Sequence, residues 1–172
     1  MPWGLVHPVC DYELIRGLCR RPYPNHPRGC PNWGKRKTCP PKAALLHEVL
    51  DLERPVWAVW NAYPLDRHMV KMRDRHPGWT DRQLRNPLYW QGTARKELRG
   101  ELKRFIDSFR WGRDMPPRRV VGCPEACGCN LTATMRQVKI VLAWPPMTIA
   151  YQIVLVGSPV EAKEAGPLFG DA

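Results

Sequence analysis

Three cysteines and one histidine fall within a single proline-rich stretch, Cys19-Arg-Arg-Pro-Tyr-Pro-Asn-His26-Pro-Arg-Gly-Cys30-Pro-Asn-Trp-Gly-Lys-Arg-Lys-Thr-Cys39-Pro-Pro. Pro22, Pro24, Pro27, Pro31, Pro40 and Pro41 restrict φ and remove backbone donors, so this stretch is predicted to be neither an ordinary helix nor a central strand. Thiolate bonds to a metal ion or an iron–sulfur cluster would supply the order that hydrogen-bond ladders cannot. His26, between two of the thiols, suits a ligand or a hydrogen-bond partner of one, and equally a turn through Asn25-His26-Pro27. Lys35, Arg36 and Lys37 beside Cys39 would lower thiolate pKa and offset the charge of a tetrathiolate site.

A second group lies near the other end of the chain, Cys123-x3-Cys127-x-Cys129. With Cys10 the count is seven, an odd number that argues against a complete disulfide framework. The order Cys10-x8-Cys19-x10-Cys30-x8-Cys39 contains no C-x2-C, which excludes the paired knuckles of a zinc ribbon or treble-clef finger. The last group lacks the C-x2-C-x2-C run of a bacterial ferredoxin, and it is one residue short of the C-x3-C-x2-C pattern of radical enzymes using S-adenosylmethionine. Dispersed thiols remain compatible with a [4Fe–4S] cluster, which needs only four thiolates in space, and with Zn2+, which demands no more. Iron–sulfur is favoured because the thiols exceed four and because Trp3, Tyr23 and Trp33 lie close enough in sequence to shield a cluster from water. The expected ligands are Cys19, Cys30, Cys39 and Cys123, with Cys127 or Cys129 substituting, while Cys10 is expected to be a buried free thiol. Gly29, Gly34, Gly122 and Gly128 would let backbone amides approach the sulfurs.

The segment Gly29-Cys30-Pro-Asn-Trp33-Gly34-Lys-Arg-Lys-Thr-Cys39-Pro40-Pro41 resembles a motif of an uncharacterised prokaryotic family of predicted cysteine-rich metal-binding proteins. In that family a cysteine is followed by an aromatic-Gly-Lys step and then Cys-Pro-Pro. Pro124-Glu125-Ala126-Cys127-Gly128-Cys129-Asn130 looks like the family's Glu-Ala-Cys-Gly segment, in the same order. The resemblance covers about 25 residues of 172. It implies metal binding, an iron–sulfur cluster above all, and no established reaction; by motif position Cys30 and Cys39 carry over first, then Cys127. Cys129 stands where the family is usually aliphatic, and the longer Cys19–Cys30 interval is a further departure.

Net charge is +11, from 27 Lys and Arg against 16 Asp and Glu. The excess is concentrated in residues 1–42, with eight basic and two acidic side chains, and in residues 65–119, with fifteen and seven. Such a balance raises a polyanionic partner, and Arg95, Arg99 and Lys103 form a basic stripe able to meet phosphates or simply to face water. The alternative function is therefore a zinc-stabilised module binding nucleic acid through its basic helices. Whether the protein is an enzyme is open. No Gly-rich phosphate loop, HExxH or nucleophile elbow is present, and Glu97 with Glu101 reads as solvated charge. A nucleophilic Cys30 or Cys127 paired with His26, His47, His68 or His76 has no spacing to fix its geometry.

The elements that must position these residues are legible in outline. Ala43, Leu46, Val49 and Leu50 predict a helix opening at Pro41-Lys42, and Val56 to Tyr63 predicts a buried strand between prolines. Residues 65–76 predict a basic helix ended by Pro77-Gly78. Thr80 to Gln83 has capping-box spacing. Asn86-Pro87 opens a long helix to Phe109, with Trp90, Ala94, Leu98, Leu102, Phe105 or Ile106, and Phe109 on its apolar stripe. Short strands are predicted at Arg118 to Gly122, Gln137 to Trp144 and Thr148 to Val156, with Pro145-Pro146 as a corner. The expected fold is α+β, or α/β: one domain over residues 1–157 with a small sheet of three or four strands, one long helix, and the two cysteine loops meeting at a metal site. Residues 158–172 are expected to be a flexible tail. The hydrophobic run from Val138 to Gly157 is interrupted by Lys139, Trp144-Pro145-Pro146 and Gln152, so no membrane span is expected. Unpaired cysteines and an N-terminus without a basic n-region or apolar h-region point to the reducing cytoplasm and to a redox protein as partner.

Overall fold

The run Val56-Trp-Ala-Val-Trp-Asn-Ala-Tyr63 alternates its side chains between two faces, and both faces find apolar cover. It forms a central strand of the computed structural model, which describes residues 1–22, 26–109 and 119–160. In chain order the elements are β1 (Trp3–Val6), α1 (Tyr12–Gly17), α2 (Leu46–Val49), β2 (Val56–Pro64), α3 (Leu65–Arg75), α4 (Asp81–Leu84), α5 (Gln91–Ser108), β3 (Arg119–Val121), α6 (Leu131–Arg136) and β4 (Ile149–Gly157). Short 3-10 turns lie at Leu18–Arg20, Pro87–Tyr89 and Pro124–Cys127. The strands make one antiparallel sheet in the order β1-β2-β4-β3, an α+β architecture.

The register of the central pair runs from Trp57 opposite Val156 to Pro64 opposite Ile149. One sheet face carries Val59, Val154 and Val156, and α5 covers it with Leu98 and Phe105. Phe105 is fully buried among aromatic rings, with centroids 5.9 Å from Trp3, 5.8 Å from Trp57 and 4.8 Å from Phe109. Such pairs add about 0.5–1.5 kcal/mol each beyond their area. The opposite face carries Val56, Ala58, Ile153 and Leu155, packed under Leu46 and Leu50 from the α2 region and Leu131 and Met135 from α6. A third cluster at the far end of β4 joins Leu65, Trp90, Ala94 and Ala150, with Tyr63 stacked on Trp90.

Most predicted elements are present with shifted ends. Trp90, Ala94, Leu98 and Phe105 are the buried stripe foreseen for the long helix, although α5 itself begins at Gln91 after a separate 3-10 turn capped by Asn86. The Thr80–Gln83 capping box is formed. The helix expected from Pro41 shrinks to the single turn of α2, because Leu45 (ψ 155°) and Leu50 (ψ 135°) are both extended; Ala43, Leu46 and Leu50 are nevertheless buried as foreseen. Arg118, at the start of the expected strand there, lies outside the described residues. Ser158 to Val160, assigned to the tail, are tied to the domain: Asp51 N–H donates to the Ser158 carbonyl at 3.0 Å, and Leu50 pairs with Pro159. The rest of the expected tail, residues 161–172, lies outside the described residues.

One predicted strand is replaced. Residues 137–144 do not pair, and their first half closes α6. Lys139 has φ 61°, its N–H donates to the Arg136 carbonyl at 3.0 Å, and Ile140 N–H donates to the Met135 carbonyl at 3.1 Å. These two bonds are a Schellman cap, and Ile140 packs into the cluster that holds Met135, the apolar contact such a cap favours. The β-branched Val138 and Ile140 that suggested a strand are therefore apolar plugs around a helix end. Lysine in the left-handed region carries a cost that glycine avoids. Lys139→Gly is expected to stabilise the protein by about 0.5–1 kcal/mol. The urea midpoint should rise; a fall would contradict the cap.

Candidate functional site

Residues 7–11 leave β1 and cross the sheet face that α6 covers. His7 N–H donates to Gln137 Oε1 at 2.8 Å while Gln137 Nε2 donates to the His7 carbonyl at 2.7 Å. Val9 N–H donates to Thr134 Oγ1 at 3.0 Å, and Asp11 N–H donates to the Gly128 carbonyl at 3.1 Å. The return bond, Asn130 N–H to the Val9 carbonyl at 2.7 Å, makes Cys10 and Cys129 an antiparallel pair without mutual backbone bonds. In such a pair the side chains stand closest. Gly128 has φ 87°, and a Cβ there would lie 2.4 Å from Tyr12 Cδ1, so only glycine permits this approach. Cys10 thus meets the C-terminal cysteine group through the backbone.

The described residues of the N-terminal loop form a series of turns, as its prolines dictate, while Tyr23, Pro24 and Asn25 lie outside the described residues. Cys30 N–H donates to the Cys19 carbonyl at 2.7 Å, Gly34 N–H to Pro40 at 2.8 Å, Cys39 N–H to Arg36 at 3.1 Å and Ala43 N–H to Cys39 at 2.9 Å. Gly29, at φ 80°, passes so close to Cys19 that a Cβ would lie 2.6 Å from its carbonyl oxygen. His26 serves this turn through its carbonyl, which accepts from Gly29 N–H at 3.0 Å. Arg16 on α1 holds the loop's exit: Nη2 donates to the Pro41 carbonyl at 2.8 Å and to the Ala43 carbonyl at 2.9 Å. Arg20 lies over the Trp33 ring at 5.9 Å.

The thiols sense one another in an unbroken series. Burial pushes Cys19 up first, and the neighbouring Cys30 and Cys39 push it further. Cys123 is raised by burial, then by Glu125 and Cys39, with Arg95 opposing. Cys127 is raised by burial and by Cys123, with Arg16 opposing, and Cys10 adds to the rise. Cys39 therefore lies within electrostatic reach of both Cys19 and Cys123, residues 104 positions apart in the chain (123 − 19). Glu125 keeps accessible surface yet is crowded on most sides by protein, as befits a group in the wall of a concavity, and burial raises its carboxyl.

Cys19, Cys30, Cys39 and Cys127 are half-buried, and Cys123 is exposed. Cys129 is different: it is 0% exposed, belongs to the core, and its Sγ lies 3.5 Å from Thr134 Oγ1. Cys10, expected to be buried, is only half-buried and its Sγ donates to the Pro8 carbonyl at 3.9 Å, while the nearby Tyr12 hydroxyl meets His47 Nδ1 at 2.7 Å. Among the described residues, no three His, Cys, Asp or Glu side chains stand close enough to hold a metal ion. The donor set still fits a thiophilic metal in kind and number, since besides the half-buried Cys10 and the buried Cys129 four of the thiols are half-buried and one is exposed. No family model matches the chain, and no curated protein or solved structure is significantly similar to it.

The basic stripe divides. Arg95 and Arg99 line a cavity that also reaches Cys123 and Glu125, whereas Lys103 Nζ pairs with Asp107 Oδ2 at 2.6 Å. Glu97 accepts from the buried Asn61 Nδ2 at 3.0 Å, and Glu101 pairs with Arg104, so neither is the free carboxylate of an acid–base pair. Among the described residues, no helix is long and apolar enough to cross a membrane. Sequence reasoning missed Tyr12, Arg16 and Thr134, all on elements too short to show a period. Only the Asp11 and Asn130 caps mark those helix starts in the sequence.

Cys129 is pushed up to about 12, by burial above all. Its folded pKa is raised, so the stability it contributes is whole below the unfolded thiol value of about 8.5 and is lost as pH climbs toward the folded one. Wild-type urea midpoints should fall between pH values of about 9 and 11, and Cys129→Ser should shallow that fall. Tyr12, also raised to about 12, leaves a residual slope. Identical slopes in the two proteins would contradict the buried thiol.

Proposed function

We propose that the chain holds a metal centre, a [4Fe–4S] cluster, on thiolates of Cys19, Cys30, Cys39 and Cys123, and that it serves electron transfer or assists a redox or sulfur-transfer system in a reducing compartment such as the cytoplasm. The observation that carries this reading is that Cys39 acts electrostatically on both Cys19 and Cys123, which belong to cysteine segments far apart in sequence. The motif resemblance through Cys30 and Cys39 points the same way. A bound cluster would supply one-electron redox chemistry. The protein's part is to present thiolates, to offset their charge and to limit water. Arg16 and Arg95 oppose the upward shifts of Cys127 and Cys123, which favours the thiolate forms a metal requires. Trp33, under Arg20, and Pro40, which is buried, shield the loop.

Purification without oxygen, with iron, sulfide and zinc quantified, tests the reading. About four iron and four sulfide per chain are expected, with broad visible absorption that a reductant bleaches. Cys39→Ser should lose the metal, whereas Cys10→Ser should keep it. Colourless protein carrying one tightly held zinc would refute the cluster and leave a zinc-stabilised domain.

A further inference from the structure

β3 covers β4 only from Leu155 to Gly157, so the outer edge of β4 from Ile149 to Ile153 is left beside α5 without a strand partner among the described residues. A cavity of about 600 Å³ opens there, a size typical of sites for small organic ligands. Its apolar wall is made by buried Trp90, Leu98, Leu142 and Ile153. Trp144, 68% exposed, stands on its rim.

Into this apolar space project two cations. Arg95 and Arg99 are one turn apart on α5, on the face that Gln91 begins, and all three line the cavity. Neither guanidinium has an ion pair or hydrogen bond with a described residue. Further along the same helix, away from the cavity, Lys103 and Arg104 are both paired with carboxylates. Glu125 and Cys123 also line the cavity: with Glu125 ionised and Cys123 a thiol the two arginines are in excess by one charge, and with Cys123 a thiolate the charges balance.

We infer that this cavity is a binding site for a small organic anion, one carboxylate or phosphate on an apolar body. The guanidiniums would take the anionic group, two charge-assisted donors set at adjacent positions. The apolar body would lie against Trp90, Leu98 and Leu142 and cover the Trp144 ring. A strongly hydrated anion would leave those walls bare, and a cation would meet the arginines. The cavity borders the thiol series at Cys123, and anion binding by Arg95 and Arg99 requires no metal.

Octanoate is the probe, titrated calorimetrically into the full-length protein purified without oxygen, with octanamide as its neutral counterpart. Saturable one-to-one binding of octanoate is expected, weakening as salt is raised. Octanamide should bind at least about tenfold more weakly, and Arg95→Gln and Arg99→Gln should each cost about tenfold. The double variant should show no saturable binding while keeping the wild-type far-ultraviolet spectrum. Lys103→Gln should bind as the wild type does. Octanamide binding as tightly as octanoate, a double variant with unchanged affinity, or no saturable octanoate binding would each overturn the proposal. The octanamide comparison uses the wild-type chain and does not depend on how the variants fold.

Discussion

The antiparallel pairing of β2 with β4 is the constraint on which the rest of the molecule depends. It joins Trp57 to Val156 and Pro64 to Ile149, positions about ninety residues apart, and it places a hydrophobic surface on both sides of one sheet. Closing so long a loop is entropically costly. Burial of Val56, Ala58, Val59, Val154, Leu155 and Val156 on the two faces is what offsets it. Once this pair is set, β1 can only add outside β2 and β3 outside β4, so the two cysteine-bearing segments leave from opposite edges of the sheet.

Residues departing from opposite edges reach each other by crossing a face. The chain does this with the extended segment from His7 to Asp11, whose backbone is held successively by Gln137, Thr134 and Gly128. Helix α6 is therefore a bracket: its apolar side, Leu131 and Met135, packs on the sheet, and its polar positions carry the crossing strand. Thr134 illustrates the economy of the arrangement, being fully buried while its hydroxyl serves both Val9 N–H and the Cys129 thiol. The Schellman cap at Lys139 ends the bracket where the chain must turn back toward β4.

How much of this was legible in the sequence follows from where the signal lies. The stripe of α5 is a tertiary demand repeated over eighteen residues, so its buried positions could be read directly. Val56 to Tyr63 is buried on both faces and reads as a strand for the same reason. β1, α1 and α6 have four to six residues each, too few for a period to emerge, and their existence is owed to partners distant in sequence. Val138 and Ile140 misled because β-branched residues mark burial as much as they mark strands. For the cysteines, composition identified the groups and proline content identified the loops. Neither could distinguish Cys129, which faces the core, from Cys123, which faces solvent, since a one-residue difference in a turn decides the direction of a side chain.

The positive charge of the chain also acquires a local account. A net charge of +11 first suggests a polyanion outside the molecule. Two of these cations instead act on the molecule's own thiols. Arg16 joins α1 to the exit of the N-terminal loop and acts on Cys127; Arg95 acts on Cys123 from across the cavity. Thiols raised by burial and by one another resist ionisation, and a nearby guanidinium opposes that resistance without itself deprotonating. A guanidinium already bonded to two carbonyls, as Arg16 is, costs little further ordering when a thiolate forms beside it. Arg16 is fixed by the fold itself, so its opposition to the rise of Cys127 is in place before any thiolate forms.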